Sequence, residues 1–147
     1  MFNIRLANEN DIKPVFELSN DDVVRANSIN KNKITWEDHV NWFKSRIKNT
    51  DEPFYIAETP DGDFVAQIRF NKEEGFVISV SINKNYRGKG LGANIIKEAS
   101  EKFGIYPIIA YVKTDNTPSQ KSFLKAGYVL SGEKIINEEN YFRYVLN

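Results

Sequence analysis

Asn85-Tyr86-Arg87-Gly88-Lys89-Gly90-Leu91-Gly92-Ala93 joins an apolar run, Phe76 to Ile82, to an amphipathic one, Leu91 to Phe103. A strand that feeds a glycine-rich basic turn and then a helix is suited to holding phosphate. Gly88, Gly90 and Gly92 lack side chains, so the backbone can approach a ligand closely. The first N–H groups of a helix have no intrahelical partner, and with the positive end of the helix dipole they attract phosphate oxygens. Arg87 and Lys89 add positive charge. The stretch predicts a phosphorylated ligand at a strand-to-helix junction.

Upstream of this junction, Phe2 to Leu6 alternates like a strand, and Asn8-Glu9-Asn10-Asp11 opens a helix to about Leu18. Ser19 to Lys33 is a polar connection, part helix and part loop. Thr35-Trp36-Glu37-Asp38 starts a second helix, in which Trp36, Val40, Phe43 and Ile47 keep helical spacing to about Lys48. Phe54 to Glu58 and Phe64 to Phe70 form a hairpin around Pro60-Asp61-Gly62, and Lys72 to Gly75 turns the chain into Phe76 to Ile82. Downstream lie a strand at Ile108 to Val112, a short helix at Pro118 to Lys125 closed by Ala126-Gly127, and strands at Tyr128 to Leu130 and Tyr141 to Leu146. The order β-α-α-β-β-β-α-β-α-β-β places three hairpin-linked strands before one crossover helix. It predicts a mixed sheet, not a doubly wound parallel one.

At 147 residues, 41% hydrophobic and 13% aromatic, the chain reads as one packed domain. The absence of cysteine excludes disulfides, thiolate metal sites and a cysteine nucleophile, and a single histidine, His39, excludes a multi-histidine metal site. No segment has the length of a membrane span and the N-terminus reads as a strand, so a cytoplasmic location is the expectation. Net charge is zero, but its distribution is uneven: residues 1–74 carry 10 Lys+Arg against 14 Asp+Glu, and residues 75–147 carry 10 against 6. Positive charge therefore gathers around the glycine loop, where a small polyanion would bind. Zero net charge, without interleaved basic and aromatic residues on one element, argues against nucleic acid.

Two other glycine loops can be compared. A nucleotide-triphosphatase loop needs G-x-x-x-x-G-K-[ST], and here Leu91 follows Gly90. The dinucleotide fingerprint G-x-G-x-x-[GA] is matched by Gly88, Gly90 and Ala93, with Asp115 further on. Against it stand the polar residues Asn83 to Arg87 between strand and first glycine, the antiparallel strands before it, and the short remainder of the chain.

Arg87-x-x-Gly90-x-Gly92 resembles the acyl-CoA pyrophosphate loop of the GCN5-related N-acetyltransferases (GNAT). Asn116-x-x-Ser119-x-x-Ser122-Phe123-x-Lys125-x-Gly127-Tyr128 resembles that family's later motif, and the strand Ile108 to Val112 precedes it as the family requires. The resemblance covers essentially the whole chain. It implies one N-acetyltransferase domain over residues 1–147, of class α/β (α+β): a mixed, largely antiparallel sheet of six to seven strands, with helices on both faces and a splay between the fourth and fifth strands. It also implies direct transfer of an acetyl group from acetyl-CoA, a co-substrate, to an amine, without metal. Carried over residue by residue, the backbone from Arg87 through Gly88, Lys89, Gly90, Leu91 and Gly92 to Ala93 holds the diphosphate. Val80, Ser81 and Ile82 border the pantetheine, with the amide near Val80 polarising the thioester carbonyl. Asn116, Ser119, Phe123 and Lys125 complete the cofactor side, although Asn116 also reads as a helix cap and Lys125 as a solvated surface residue.

The catalytic groups stay open. Many relatives carry a tyrosine at the position of Phe123, which cannot protonate the leaving thiolate. The thiolate leaves unassisted or through water, another tyrosine (Tyr86 or Tyr111) serves, or catalysis is lost. No strong base stands on the fourth strand, where Val77, Ser79 and Ser81 share one face. Ser81, Glu73 or Glu74 through water, and His39 are the candidates, His39 also reading as a packing residue between Trp36 and Phe43. For the acceptor, Val24-Arg25-Ala26-Asn27-Ser28 and Ile34-x-Trp36-x-x-His39-x-x-Trp42-Phe43 are similar to acetyltransferases of amino-sugar and surface-glycan pathways. That implies a small-molecule amine, a nucleotide-linked 4-amino sugar, with Arg25, Ser28, Trp36 and Arg69 as its contacts. The alternatives are protein or peptide N-acetylation and a non-catalytic acyl-CoA-binding module. The chain is expected as a monomer or homodimer, with no membrane or nucleic-acid partner.

Overall fold

The computed structural model describes residues 2–147. Seven strands form one sheet: β1 (Asn3–Leu6), β2 (Phe54–Glu58), β3 (Phe64–Glu73), β4 (Gly75–Ile82), β5 (Ile108–Lys113), β6 (Val129–Ile136) and β7 (Glu139–Leu146), in the order β1-β2-β3-β4-β5-β7-β6. Every neighbouring pair is antiparallel except β4–β5, which is parallel. This is the mixed sheet expected from the resemblance. The helices are α1 (Ile12–Ser19), α2 (Asp22–Asn27), α3 (Trp36–Arg46), α4 (Gly92–Phe103) and α5 (Thr117–Lys125).

Alternation along the strands puts apolar residues on both faces, so helices cover both. On one face α4 and α5 pack Ile95, Ala99, Phe103 and Phe123 against Ile68, Phe70, Ile78, Ile108 and Tyr144. The Phe70 and Phe103 rings stack at 4.2 Å. On the other face Val15 of α1 and Phe43 of α3 meet Phe54 and Ile56. Side-chain caps fix where the helices begin: Asp21 caps α2, Thr35 caps α3 and Asn116 caps α5. Gly104, at φ +68°, ends α4 in the left-handed conformation.

The last hairpin departs from the sequence reading. Strand signals were legible only at Tyr128–Leu130 and Tyr141–Leu146, yet β6 and β7 pair over eight residues each. They are joined by Asn137 and Glu138, both at positive φ, the two-residue turn that matches strand twist. β6 lies at the sheet edge with nearly every residue exposed, so it carries no apolar alternation to read. The polar connection of residues 19–33 contains α2, a short helix whose residues are all partly exposed.

Candidate active site

β4 and β5 pair only at Phe76–Ile108 and Val77–Ile109. Beyond that point they diverge, β4 staying with β3 as far as Ile82 and β5 with β7 as far as Lys113. Asn83 N donates to the Val65 carbonyl, so the antiparallel alternation turns Ser81 and Ser79 toward β3 as well. Ile78, Val80 and Ile82 turn their backbone groups the other way, into the gap. Arg87 Nε donates to the Ile82 carbonyl at 2.8 Å, which confirms the direction. The gap is part of a cleft of about 1790 Å³ that runs through the sheet, from the glycine loop on one side to α2 and β3 on the other.

At the mouth of the gap, Lys84–Tyr86 makes a tight turn started by the Asn83 side chain, and the glycines follow. They do different work. Gly88 and Gly90 both stand at φ +73° with open space where a Cβ would lie, so their backbone conformation requires glycine. Gly92 has no such φ, but a Cβ on it would lie 2.8 Å from Ser122 Oγ, so its smallness lets α4 approach α5. Leu91 offers no side-chain cap, which leaves the first N–H groups of α4 open to the cleft.

The Arg87 side chain corrects a sequence expectation. Its guanidinium is turned back onto the Ile82 carbonyl and onto Asp21 Oδ1 at 2.9 Å, so it braces the loop against α2 instead of extending free charge. Lys89 lies over the Tyr86 ring at 5.7 Å. Across the cleft, Asn116 Oδ1 accepts from Ser119 N at 3.4 Å, the capping role, while its amide nitrogen has no protein partner among the described residues. Lys125 is exposed at the end of α5 and Phe123 is buried against Tyr128 and Tyr144; both line the cleft. The phenols facing the cleft are Tyr86, Tyr111 and Tyr141. Burial, with Asp115 nearby, pushes the Tyr141 phenol up.

On the far face, Gln67 and Arg69 of β3 sit directly across from Ser81 and Ser79 of β4. They therefore flank Val80 by one strand spacing, about 5 Å. The segment Val23 to Asn30 roofs this end, and a charged latch holds it. Glu139, beside the β6–β7 turn, pairs with Lys31 and with Lys113 (3.3 Å), and Lys113 also donates to the Ala26 carbonyl.

Several predicted contacts are relocated. Arg25 lines the cleft, but its donors go to the Ser19, Asn30 and Asn32 carbonyls and to Ser28 Oγ, so it and Ser28 organise the roof. Trp36 lies outside the cleft, edge-on to Phe16, because it projects from the outer face of α3. His39 is not a base at the cleft. It is buried among Phe16, Trp36, Trp42 and Phe43, donates from Nε2 to the Ile12 carbonyl at 2.7 Å, and is held below its usual pKa by burial. Glu74 is exposed at the β3–β4 turn and does not line the cleft, whereas Glu73 does. Glu73 stands five residues along β3 from the partner of Val80, roughly 17 Å, and cannot reach that amide directly. Gln67, Lys113, Glu139 and Tyr141 were missed. Only Gln67 carried a signal, a polar residue alternating with Arg69 in an otherwise apolar strand.

The splayed parallel pair beside an uncapped helix is the arrangement that the resemblance implied, and comparison with known proteins identifies the family. The family model described as Acetyltransferase (GNAT) domain matches residues 2–129. The chain is 29% identical over 136 residues to YwnH of Bacillus subtilis (strain 168), provisionally a phosphinothricin acetyltransferase, covering 85% of this chain and 82% of that one. A crystal structure bearing the same provisional assignment superposes with TM-score 0.77 at 26% identity, over 99% of this chain and 96% of the other. Spermidine N-acetyltransferase from Vibrio cholerae, in complex with CoA and spermine, superposes with TM-score 0.89 over 99% and 94%, at 14% identity, a likeness of fold. The chain belongs to the GNAT acetyltransferases: it is an N-acetyltransferase with acetyl-CoA as co-substrate.

Proposed function

We propose that this chain acetylates the primary amine of a small molecule, with a nucleotide-linked amino sugar as the acceptor to test first. The observation that supports it most is the unpaired backbone of Val80, open to the cleft between the glycine loop and Arg69. In this reading the amides of Arg87 to Ala93 hold the diphosphate, Lys89 and Lys125 add charge, and Asn116 donates to the pantetheine from the facing side. Backbone of Val80 to Ile82 lines the pantetheine, and the Val80 N–H polarises the thioester carbonyl, a preorganised dipole where negative charge develops.

The amine nitrogen attacks that carbonyl, the C–S bond breaks, and the thiolate takes the electron pair. Phe123 gives it no proton, and the thiolate leaves as the anion or is protonated by water. The ammonium proton is lost to water in the cleft, the lining acids Glu52 and Glu73 standing away from Val80 among the described residues. A spectrophotometric CoA-release screen over nucleotide-linked amino sugars, peptides and polyamines tests the reading. Release driven by peptides alone would replace the acceptor class. Tight acetyl-CoA binding without turnover of any amine would mark a binding module.

A further inference from the structure

Arg25 and Arg69 line the far end of the cleft, with Arg46 close behind, and among the described residues no carboxylate forms a salt bridge with any of the three. Arg46 is spent on the Glu52 and Phe70 carbonyls and on Asn71 Oδ1, and Arg25 on the carbonyls of the roof. Arg69 is different: half-buried, it makes no hydrogen bond to any described residue, and its Nε is buried without a partner. Its one directional contact among the described residues is the Trp42 ring, 5.1 Å from the guanidinium carbon. The nearby carboxylate of Glu52 is taken by Asn49 Nδ2 and Lys72 N. Beside Arg69, one end of the fully buried Gln67 amide is held by Ser19 Oγ at 3.0 Å and the other end is bare. A desolvated cation without a counter-ion is costly, and so is a buried amide left half paired. Both become favourable when a ligand completes them. Along the whole cleft, basic side chains outnumber acidic ones eight to two, the acids being Glu52 and Glu73.

We propose that the acceptor carries an oxoanion (carboxylate, phosphinate or phosphate) seated on Arg69, with the bare end of Gln67 receiving a polar group of the same molecule. Trp42 holds the guanidinium plane, which presents its fork to two oxygens at once. Polycationic amines are turned away by the same charge. The inference rests on the small-molecule reading above and narrows it. Two sources share the chemistry, an amino acid and a nucleotide-linked amino sugar. Arg69 and Gln67 flank the strand position opposite Val80, so an acceptor seated on them lies at the end of the cleft where that amide opens.

The test uses the full chain with acetyl-CoA and matched acceptors: phosphinothricin against its esters, a UDP-linked 4-amino sugar against the free sugar, and spermidine. For whichever pair is used, loss of the oxoanion should lower kcat/KM at least 100-fold. Arg69→Gln should raise the acceptor KM at least 30-fold and leave the acetyl-CoA KM within twofold, and Arg69→Lys should recover part of the loss. Binding is read separately by Trp42 fluorescence in a Trp36→Phe background, titrated with phosphinothricin or UDP. Removing Arg69 strands no carboxylate, and circular dichroism checks the fold. Turnover of spermidine or the esters with Arg69→Gln without effect overturns the oxoanion seat and leaves the small-amine reading standing. A Trp42 response that needs Arg69, with no CoA release from any amine, supports the seat and overturns the acetyl-transfer reading of this cleft. Silence in both assays overturns both.

Discussion

Replacing Gly90 by alanine puts a Cβ on a residue at φ +73°, with nothing within 4 Å of it. The penalty is therefore conformational, about 1–2 kcal/mol for an L-residue held in the left-handed region. The loop can shed that strain only by leaving the conformation that aims its amides at the cleft. If the whole penalty is charged to binding, the acetyl-CoA Kd rises by about 5–30-fold. Gly92→Ala, two residues on, fails differently: its Cβ falls 2.8 Å from Ser122 Oγ and 3.3 Å from Ser122 Cβ. Overpacking of that kind costs about 1–3 kcal/mol, offset in part by the lower chain entropy of the unfolded alanine variant. The damage should show as a lower Tm, and Ser122→Ala should restore at least half of it by removing the closer contact. Ser122→Ala should do nothing for Gly90→Ala. Isothermal titration with acetyl-CoA and thermal melts of the two singles and two doubles decide the matter. An acetyl-CoA Kd within twofold of wild type for Gly90→Ala, or a Gly92→Ala defect untouched by Ser122→Ala, would refute the division of labour between these glycines.

Glu139→Gln removes the shared partner of Lys31 and Lys113. Partly exposed pairs contribute about 0.2–1 kcal/mol, so Tm should hardly move. The roof should loosen, with the acceptor KM up severalfold, the acetyl-CoA KM unchanged, and faster proteolysis between residues 26 and 33; unchanged acceptor KM would show that the latch is ornamental. Burial lowers the His39 pKa in the fold below the 6.5 of the unfolded chain. The unfolded state then binds more protons and stability falls on acidification, by at most about 1.4 kcal/mol per pH unit from this group. Urea melts at pH 7.5 and 5.5 should show a smaller loss for His39→Phe than for wild type. Phe123→Tyr should fold and keep or raise kcat, since the ring lines the cleft and gains a proton donor there; a complete loss of activity would mean that Phe123 shapes the cleft.

How much of this was legible depended on whether a residue's role is local. The α4 junction could be read because strand, glycines and helix follow one another in the chain. Asn116 could be read as a cap because the N–H it accepts belongs to Ser119. The roles of Arg25 and Arg69 could not be told apart, since both are arginines near polar or alternating sequence. They differ in what folding brings to them: backbone carbonyls of its own loop for Arg25, and only the Trp42 ring for Arg69. The packing role of His39 was legible because Trp36, Trp42 and Phe43 are its neighbours on α3; only Phe16 and the Ile12 carbonyl come to it from elsewhere in the fold.

Local order of residues thus determined the order of most strands and helices and the turn of the glycine loop, because periodicity, caps and positive-φ glycines act within a few residues of themselves. The splay of β4 from β5 was expected, but its start after Val77, the turning of Arg87 onto Asp21 and the isolation of Arg69 were decided by tertiary structure. Each depends on whether a partner is present or missing across elements far apart in the chain. Burial then gives a missing partner its energetic weight.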